Sequence, residues 1–305
     1  MVLSNCGYVA DPLPPALNIP VAIRDFRAIE YGDNILVDFT LPTVTTDNLQ
    51  LKQPPPVELW VGPNVNPFNI DTWSTGAKKY ELKDKTREAP VRDWVGKEIV
   101  LAVRAIGPKG KPSAWSNIQV LTPGTPLQMP AGLKADNVQD GVKLTWQGSG
   151  PHYRIYRTAG DGMRERFAET DKPEYVDETT MYGVRYQYLI QAYEEETRQS
   201  LPSDTASITP SDTFAPAVPG ALTAIAGVRT IELTWTRNAE PDFKGYNVYR
   251  AEGAGAFQKI ASLVEAPTYS DNKVEPGKTY RYAITAVDVT GNESAQSNPQ
   301  EAVAQ

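Results

Sequence analysis

The sequence predicts an all-β chain of three β-sandwiches in tandem, and three observations carry that prediction. At 305 residues the chain exceeds one ordinary sandwich core and suits domains of roughly 100 residues each. Its 26 prolines and 22 glycines follow no collagen-like period, which fits many short strands joined by turns. Most tellingly, four sequence blocks recur three times in one order, the mark of a repeated structural unit.

The first block alternates apolar and polar residues and ends on a large aromatic: Ile35-Leu36-Val37-Asp38-Phe39, Val142-Lys143-Leu144-Thr145-Trp146 and Ile231-Glu232-Leu233-Thr234-Trp235. Period two means a strand with one buried face. The second block is again period two: Val57-Glu58-Leu59-Trp60-Val61, Tyr153-Arg154-Ile155-Tyr156-Arg157 and Tyr246-Asn247-Val248-Tyr249-Arg250. In the third block a glycine precedes a long apolar alternation: Gly96, Ile99, Leu101, Val103 and Ala105; Gly183, Tyr186, Tyr188, Ile190 and Ala192; Gly277, Tyr280, Tyr282, Ile284 and Ala286. The fourth places two serines three residues apart: Ser113 and Ser116, Ser200 and Ser203, Ser294 and Ser297. Pro-rich stretches at 122–126 and 210–219 separate the copies, because proline stiffens a connection and removes sheet donors. The expected division is an N-terminal arm at 1–19 and domains at 20–122, 126–210 and 216–305.

These blocks resemble strands B, C, F and G of the fibronectin type III fold, an immunoglobulin-like sandwich. The third copy matches the pattern common in bacterial members most fully, with Trp235, 245–250, 276–280 and 286–294. The first copy departs from it. Phe39 stands for the strand-B Trp, Ile99 stands for the corner Tyr, and the spacing between blocks is longer. The resemblance implies that Tyr186 and Tyr280 bond back to the chain at the E–F corner. Phe39, Trp146 and Trp235 are expected in the sandwich cores, from their phase on the first strand.

Trp60, Tyr156 and Tyr249 fall out of phase with the inward residues and are expected on the outer sheet face. There they are either cross-strand packing partners or a flat surface for a sugar or a protein. The extra length of the first copy lies at 41–56 and 62–94, the second stretch carrying Trp73, Tyr80 and Trp94. Connections this long commonly have a function or structure of their own. Trp60, Trp73, Tyr80 and Trp94 are therefore the candidate ligand or partner surface. The competing reading is that they patch a core lacking its usual Trp.

Chemistry is sparse. A net charge of −7 with no basic cluster excludes a nucleic-acid surface. One His and one Cys cannot build the usual zinc or copper sites, so no metal and no cofactor is expected. The lone His152 has no nucleophile motif to serve. Most of the acids sit in turn contexts; the 288–293 segment offers oxygens without calcium-loop spacing and reads as an F–G turn. No catalytic residue is assigned, and an enzyme is not expected.

The single cysteine, Cys6, allows no internal disulfide. Leu3-Ser4-Asn5-Cys6 resembles the end of a bacterial lipoprotein signal, which would make Cys6 the lipidated residue, with a Pro-rich tether behind it. The alternative is an ordinary free thiol. The expected protein is a non-catalytic, extracytoplasmic one, surface-anchored or secreted, acting in adhesion, spacing or assembly. Two other readings stay open: a carbohydrate-binding accessory using the aromatics of the first copy, and a filament subunit that self-associates through its N-terminal arm. Partners are accordingly a protein, a polysaccharide or a second copy. Membrane contact would come only through an anchor at Cys6.

Overall fold

The computed structural model describes residues 17–82 and 87–305. The chain forms two compact units, one running to Thr209 and one at Pro210–Gln305. Each sandwich has a core of its own.

In the first sandwich, β1 (Arg27–Tyr31), β2 (Asn34–Asp38) and β5 (Glu88–Pro90) pair antiparallel as one layer. The facing layer has the order β4 (Lys78–Leu82), β3 (Val57–Pro63), β6 (Ile99–Ala105), β7 (Gln119–Leu121). Alternation along β2 and β3 sends Ile35, Val37, Leu59 and Val61 inward to meet Leu101 and Val103. Phe39 joins them, with the Phe26 ring 6.4 Å away and the Arg87 guanidinium 4.4 Å over its face. The helix α1 (Ile70–Gly76) lies in the connection between β3 and β4.

The second sandwich pairs β8 (Ala131–Val138), β9 (Gly141–Gln147) and β12 (Glu174–Asp177) against β10 (His152–Ala159), β11 (Glu165–Thr170), β13 (Tyr186–Glu195), β14 (Arg198–Pro202) and β15 (Ala206–Ile208). Trp146 is buried at the centre, its ring edge-on to Tyr153 at 5.2 Å.

The two Pro-separated copies share a sheet. β14 runs parallel to β1, so the β11-β10-β13-β14 layer continues into β1-β2-β5. The Glu30 amide donates to the Thr197 carbonyl at 2.7 Å and the Gly32 amide to the Gln199 carbonyl at 2.8 Å. Gly32 takes a left-handed φ of +56°, and a Cβ there would lie 2.9 Å from the Leu201 side chain. The Glu30 carboxylate, buried at this seam, accepts from the Gly124 amide at 2.9 Å and from Arg198 Nε at 3.4 Å. Arg198 Nη2 in turn donates to the Thr125 carbonyl at 2.6 Å. The 122–126 stretch, expected to act as a separator, is thus stapled to both sandwiches.

The third sandwich has layers of β16 (Thr223–Gly227), β17 (Thr230–Thr234) and β20 (Thr268–Asp271), and of β18 (Phe243–Glu252), β19 (Gln258–Val264), β21 (Thr279–Asp288) and β22 (Gln300–Val303). Trp235 packs edge-on against Tyr246 at 5.0 Å.

The serine pairs have a common role. Ser116 Oγ accepts from the Val103 amide, Ser203 Oγ from Ile190 and Ser297 Oγ from Ile284, at 3.0, 2.9 and 3.1 Å. Ser113, Ser200 and Ser294 do the same for Ala105, Ala192 and Ala286. Each hydroxyl supplies an acceptor to a buried strand amide that would otherwise go unpaired.

Candidate functional site

The candidate aromatics of the first sandwich are built on the outer face of β3 and β6 and on the connection above it. Asn69 caps α1, its side chain accepting from the amides of Asp71 and Thr72 at 3.1 and 3.0 Å. This sets the helix across the sheet and drives Trp73 down onto Val100 and Ala102, where it is 5% exposed. Gly62 makes room for it: a Cβ at that position would meet Trp73 Nε1 at 2.9 Å. Trp60 and Trp115 complete a small second core, edge-on to one another at 5.7 Å, with Trp73 and Trp115 at 6.3 Å.

Arg104 lies over both outer rings, 5.0 Å from the Trp60 centroid and 4.5 Å from that of Trp115. Glu58 accepts from Trp60 Nε1 at 3.2 Å and from Lys79 Nζ at 3.0 Å. The four residues singled out from the sequence therefore separate. Trp73 and Trp60 belong to this outer cluster, whereas Tyr80 and Trp94 pack, partly buried, against the main core. Trp115, which sequence reasoning passed over as part of the serine block, is the residue that joins Trp60 to Trp73.

The corner tyrosines are buried, with Tyr186 Oη accepting from the Met181 amide at 2.9 Å and Tyr280 Oη from the Glu275 amide at 3.1 Å. Ile99 at the first-copy position has no hydroxyl to offer. Cys6 and the arm up to residue 16 lie outside the described residues.

The outer faces of the other sandwiches carry polar networks. Arg154 is buried on the Tyr193 ring, 4.0 Å from its centroid, and pairs with Glu169 at 3.3 Å and Glu196 at 2.5 Å. Tyr156 donates to Gln191 at 3.1 Å. In the third sandwich Glu293 accepts from Asn247 at 2.8 Å, Tyr249 at 2.6 Å and Thr285 at 2.5 Å. Burial pushes its carboxyl up, but these donors together with Lys259 hold it down at about 2.

Every buried carboxylate among the described residues has a comparable set of donors. Asp177 accepts from Tyr188 at 2.7 Å, Thr179 at 2.7 Å and Arg157 at 3.0 Å. Asp271 accepts from Tyr282 and Arg250, both at 2.9 Å. One acidic cluster could in principle hold a hard cation: oxygens of Asp212, Asp242 and Asp288 lie within 4.8 Å of one another. Both oxygens of Asp288 are already engaged, however, by Thr290, Gly291 and Asn292. The cluster is explained as a closed F–G turn. His152 Nδ1 contacts Asp171 at 2.6 Å, with both side chains open to solvent. No helix among the described residues is long and apolar enough to cross a membrane.

The strand orders, the buried Trp and the corner Tyr define a class, the tandem fibronectin-like β-sandwich protein. No family model matches the chain. Exoglucanase B of Cellulomonas fimi is 27% identical over 305 aligned residues, 90% of this chain and 27% of that protein. Amylopullulanase of Thermoanaerobacterium saccharolyticum is 43% identical over 88 residues, 28% of this chain and 7% of that protein. The chain thus spans about a quarter or less of the length of these curated relatives. Among solved structures, a Fn3-like protein from Clostridium thermocellum is 35% identical, covering 30% of this chain and 94% of that one, with a TM-score of 0.26. By its own strand orders, buried core residues and corner tyrosines, the chain is a tandem fibronectin type III-like β-sandwich protein.

Proposed function

We propose that the chain is a non-catalytic, extracytoplasmic module that spaces or presents what is joined to it, through adhesion or assembly rather than chemistry. The observation that supports this most is the seam between the first two sandwiches. A spacer must resist bending, and here strand pairing and the buried Glu30–Arg198 contact continue one sheet across the junction. The satisfied state of the buried carboxylates fits the same reading, since a catalytic acid or base needs an open partner at the reacting atom. Spin labels at Thr75→Cys and Met163→Cys, in a Cys6→Ser background, test it by pulsed electron resonance. A narrow distance distribution is expected, and a broad one removes the spacer reading.

A second reading is favoured by the likeness to exoglucanase B over most of the chain: an accessory module that holds a polysaccharide. Its surface would be the outer aromatics Trp60 and Trp115 with Arg104. Trp73 would support that surface from beneath. Retention on insoluble cellulose, starch or chitin, lost in Trp60→Ala and kept in Tyr156→Ala, would select this reading. Flow-through of the unmodified chain on all three would eliminate it. Cys6, as a lipidation site, would anchor either version, which mass spectrometry of protein from its native source decides.

A further inference from the structure

We propose that the end of the first sandwich at which the chain enters is a docking surface for an anionic lipid bilayer. The 41–56 insertion folds there as a hairpin, with the Thr45 amide donating to the Leu49 carbonyl at 2.9 Å and the Leu51 amide to Thr43 at 2.8 Å. Its other edge is pinned to the entering chain, the Thr46 amide donating to Ile19 at 2.8 Å and the Val21 amide to Val44 at 3.1 Å. Between this hairpin and the 106–112 turn lies an open groove of about 720 Å³, lined by Leu49, Leu51, Pro54, Pro56, Ile106 and Pro108. Leu49 is 45% exposed, and Leu17, which enters beside the hairpin, is 50% exposed.

Three lysines surround this apolar rim. Lys52 lines the groove, and Lys109 and Lys111 stand on the turn closed by the Gly107 amide donating to the Lys111 carbonyl at 2.8 Å. All three are exposed. The salt bridges found among the described residues involve none of them. The insertion and the turn contain one carboxylate, Asp47, whose Oδ2 is occupied by the Leu17 amide at 3.1 Å. On a chain of net charge −7, this end is locally positive.

That sign decides the occupant. A peptide adding to the hairpin would find the 43–46 edge already taken by the entering chain, so it would gain no ladder there. A bilayer asks for no backbone partner. Leucine tips and prolines enter the boundary between headgroups and acyl chains, while lysines extend their stems over it and place their charge among anionic headgroups. The inference is independent of any acyl chain on Cys6 and goes beyond the spacer reading.

The test is sedimentation of the full chain carrying Cys6→Ser with vesicles of phosphatidylcholine alone, and of equal parts phosphatidylcholine and phosphatidylglycerol. Binding to the mixed vesicles and not to the neutral ones is expected. It should be lost at high salt and fall about a hundredfold in the Lys52→Glu/Lys109→Glu/Lys111→Glu variant. Leu49→Asp, a change on an exposed turn, should weaken it separately. Circular dichroism confirms that both variants fold. Failure of the unmodified chain to sediment with the mixed vesicles overturns the proposal, as does equal binding to neutral ones. Concentration-dependent dimerisation abolished by the lysine variant would reassign the face to a second copy and equally overturn it.

Discussion

Tyr188 donates its hydroxyl proton to Asp177 at 2.7 Å, deep in the second sandwich, where both side chains are buried. Arg157 closes the triad, and Tyr282, Asp271 and Arg250 repeat it in the third. Strand register identifies the same three places in the first sandwich. Leu101 faces Val61 as Tyr188 faces Arg157, and Ala89 faces Ile35 as Asp177 faces Val142. There the triad is replaced by Leu101, Val61 and Ala89, all buried.

Removing one member of a buried ionic set leaves the others uncompensated, whereas replacing all of them with apolar residues is often neutral. Asp177→Ala should therefore cost about 3 kcal/mol in urea unfolding. The triple change Asp177→Ala, Arg157→Val and Tyr188→Leu, which copies the first sandwich, should be less destabilising than the single one. A triple variant weaker than the single would show that packing around Tyr188 outweighs the charge balance.

Acid should weaken the third sandwich through Glu293. Its carboxyl is held at about 2 in the fold against an ordinary 4.5, so its stabilising contribution is complete above about pH 4.5. As the pH falls from there toward 2, the contribution is lost. Urea midpoints of the unmodified chain should drop more across that window than those of Glu293→Gln. Equal slopes would mean that the Asn247, Tyr249 and Thr285 contacts do not favour the charged form.

Ser203→Ala removes the acceptor of the buried Ile190 amide. The expected loss is about 1–3 kcal/mol, the usual cost of a buried unsatisfied donor. Hydrogen exchange at Ile190 should accelerate by more than that at Tyr188. An unchanged Ile190 rate would deny the serine pair its role in the sheet.

Much of this was legible in the sequence. Phe39, Trp146 and Trp235 announce themselves by ending a period-two strand, and the paired serines by recurring at fixed spacing. The triad substitution was hidden, because a buried Asp reads as a turn residue until register places it opposite Val142. Trp73 was ambiguous for a physical reason: a seven-residue helix leaves too little periodicity to show which face is covered. Least visible was the β1–β14 pairing, since strand partners 168 residues apart, as Glu30 and Arg198 are, leave no local signal.

Glu30→Ala should uncouple the first two sandwiches. It strips the Gly124 amide of its acceptor and Arg198 of its buried partner. Scanning calorimetry of the unmodified chain should show residues up to Thr209 melting together. In the variant that transition should split in two. Two separate transitions already present in the unmodified chain would contradict the coupling.

The seam itself is most directly read by native-state hydrogen exchange at the amides of Glu30 and Gly32, which donate across it to Thr197 and Gln199. One continuous sheet predicts that both are protected as strongly as strand amides within the first sandwich. Exchange at the rate of an open loop would contradict the shared sheet, and with it the spacer built upon it.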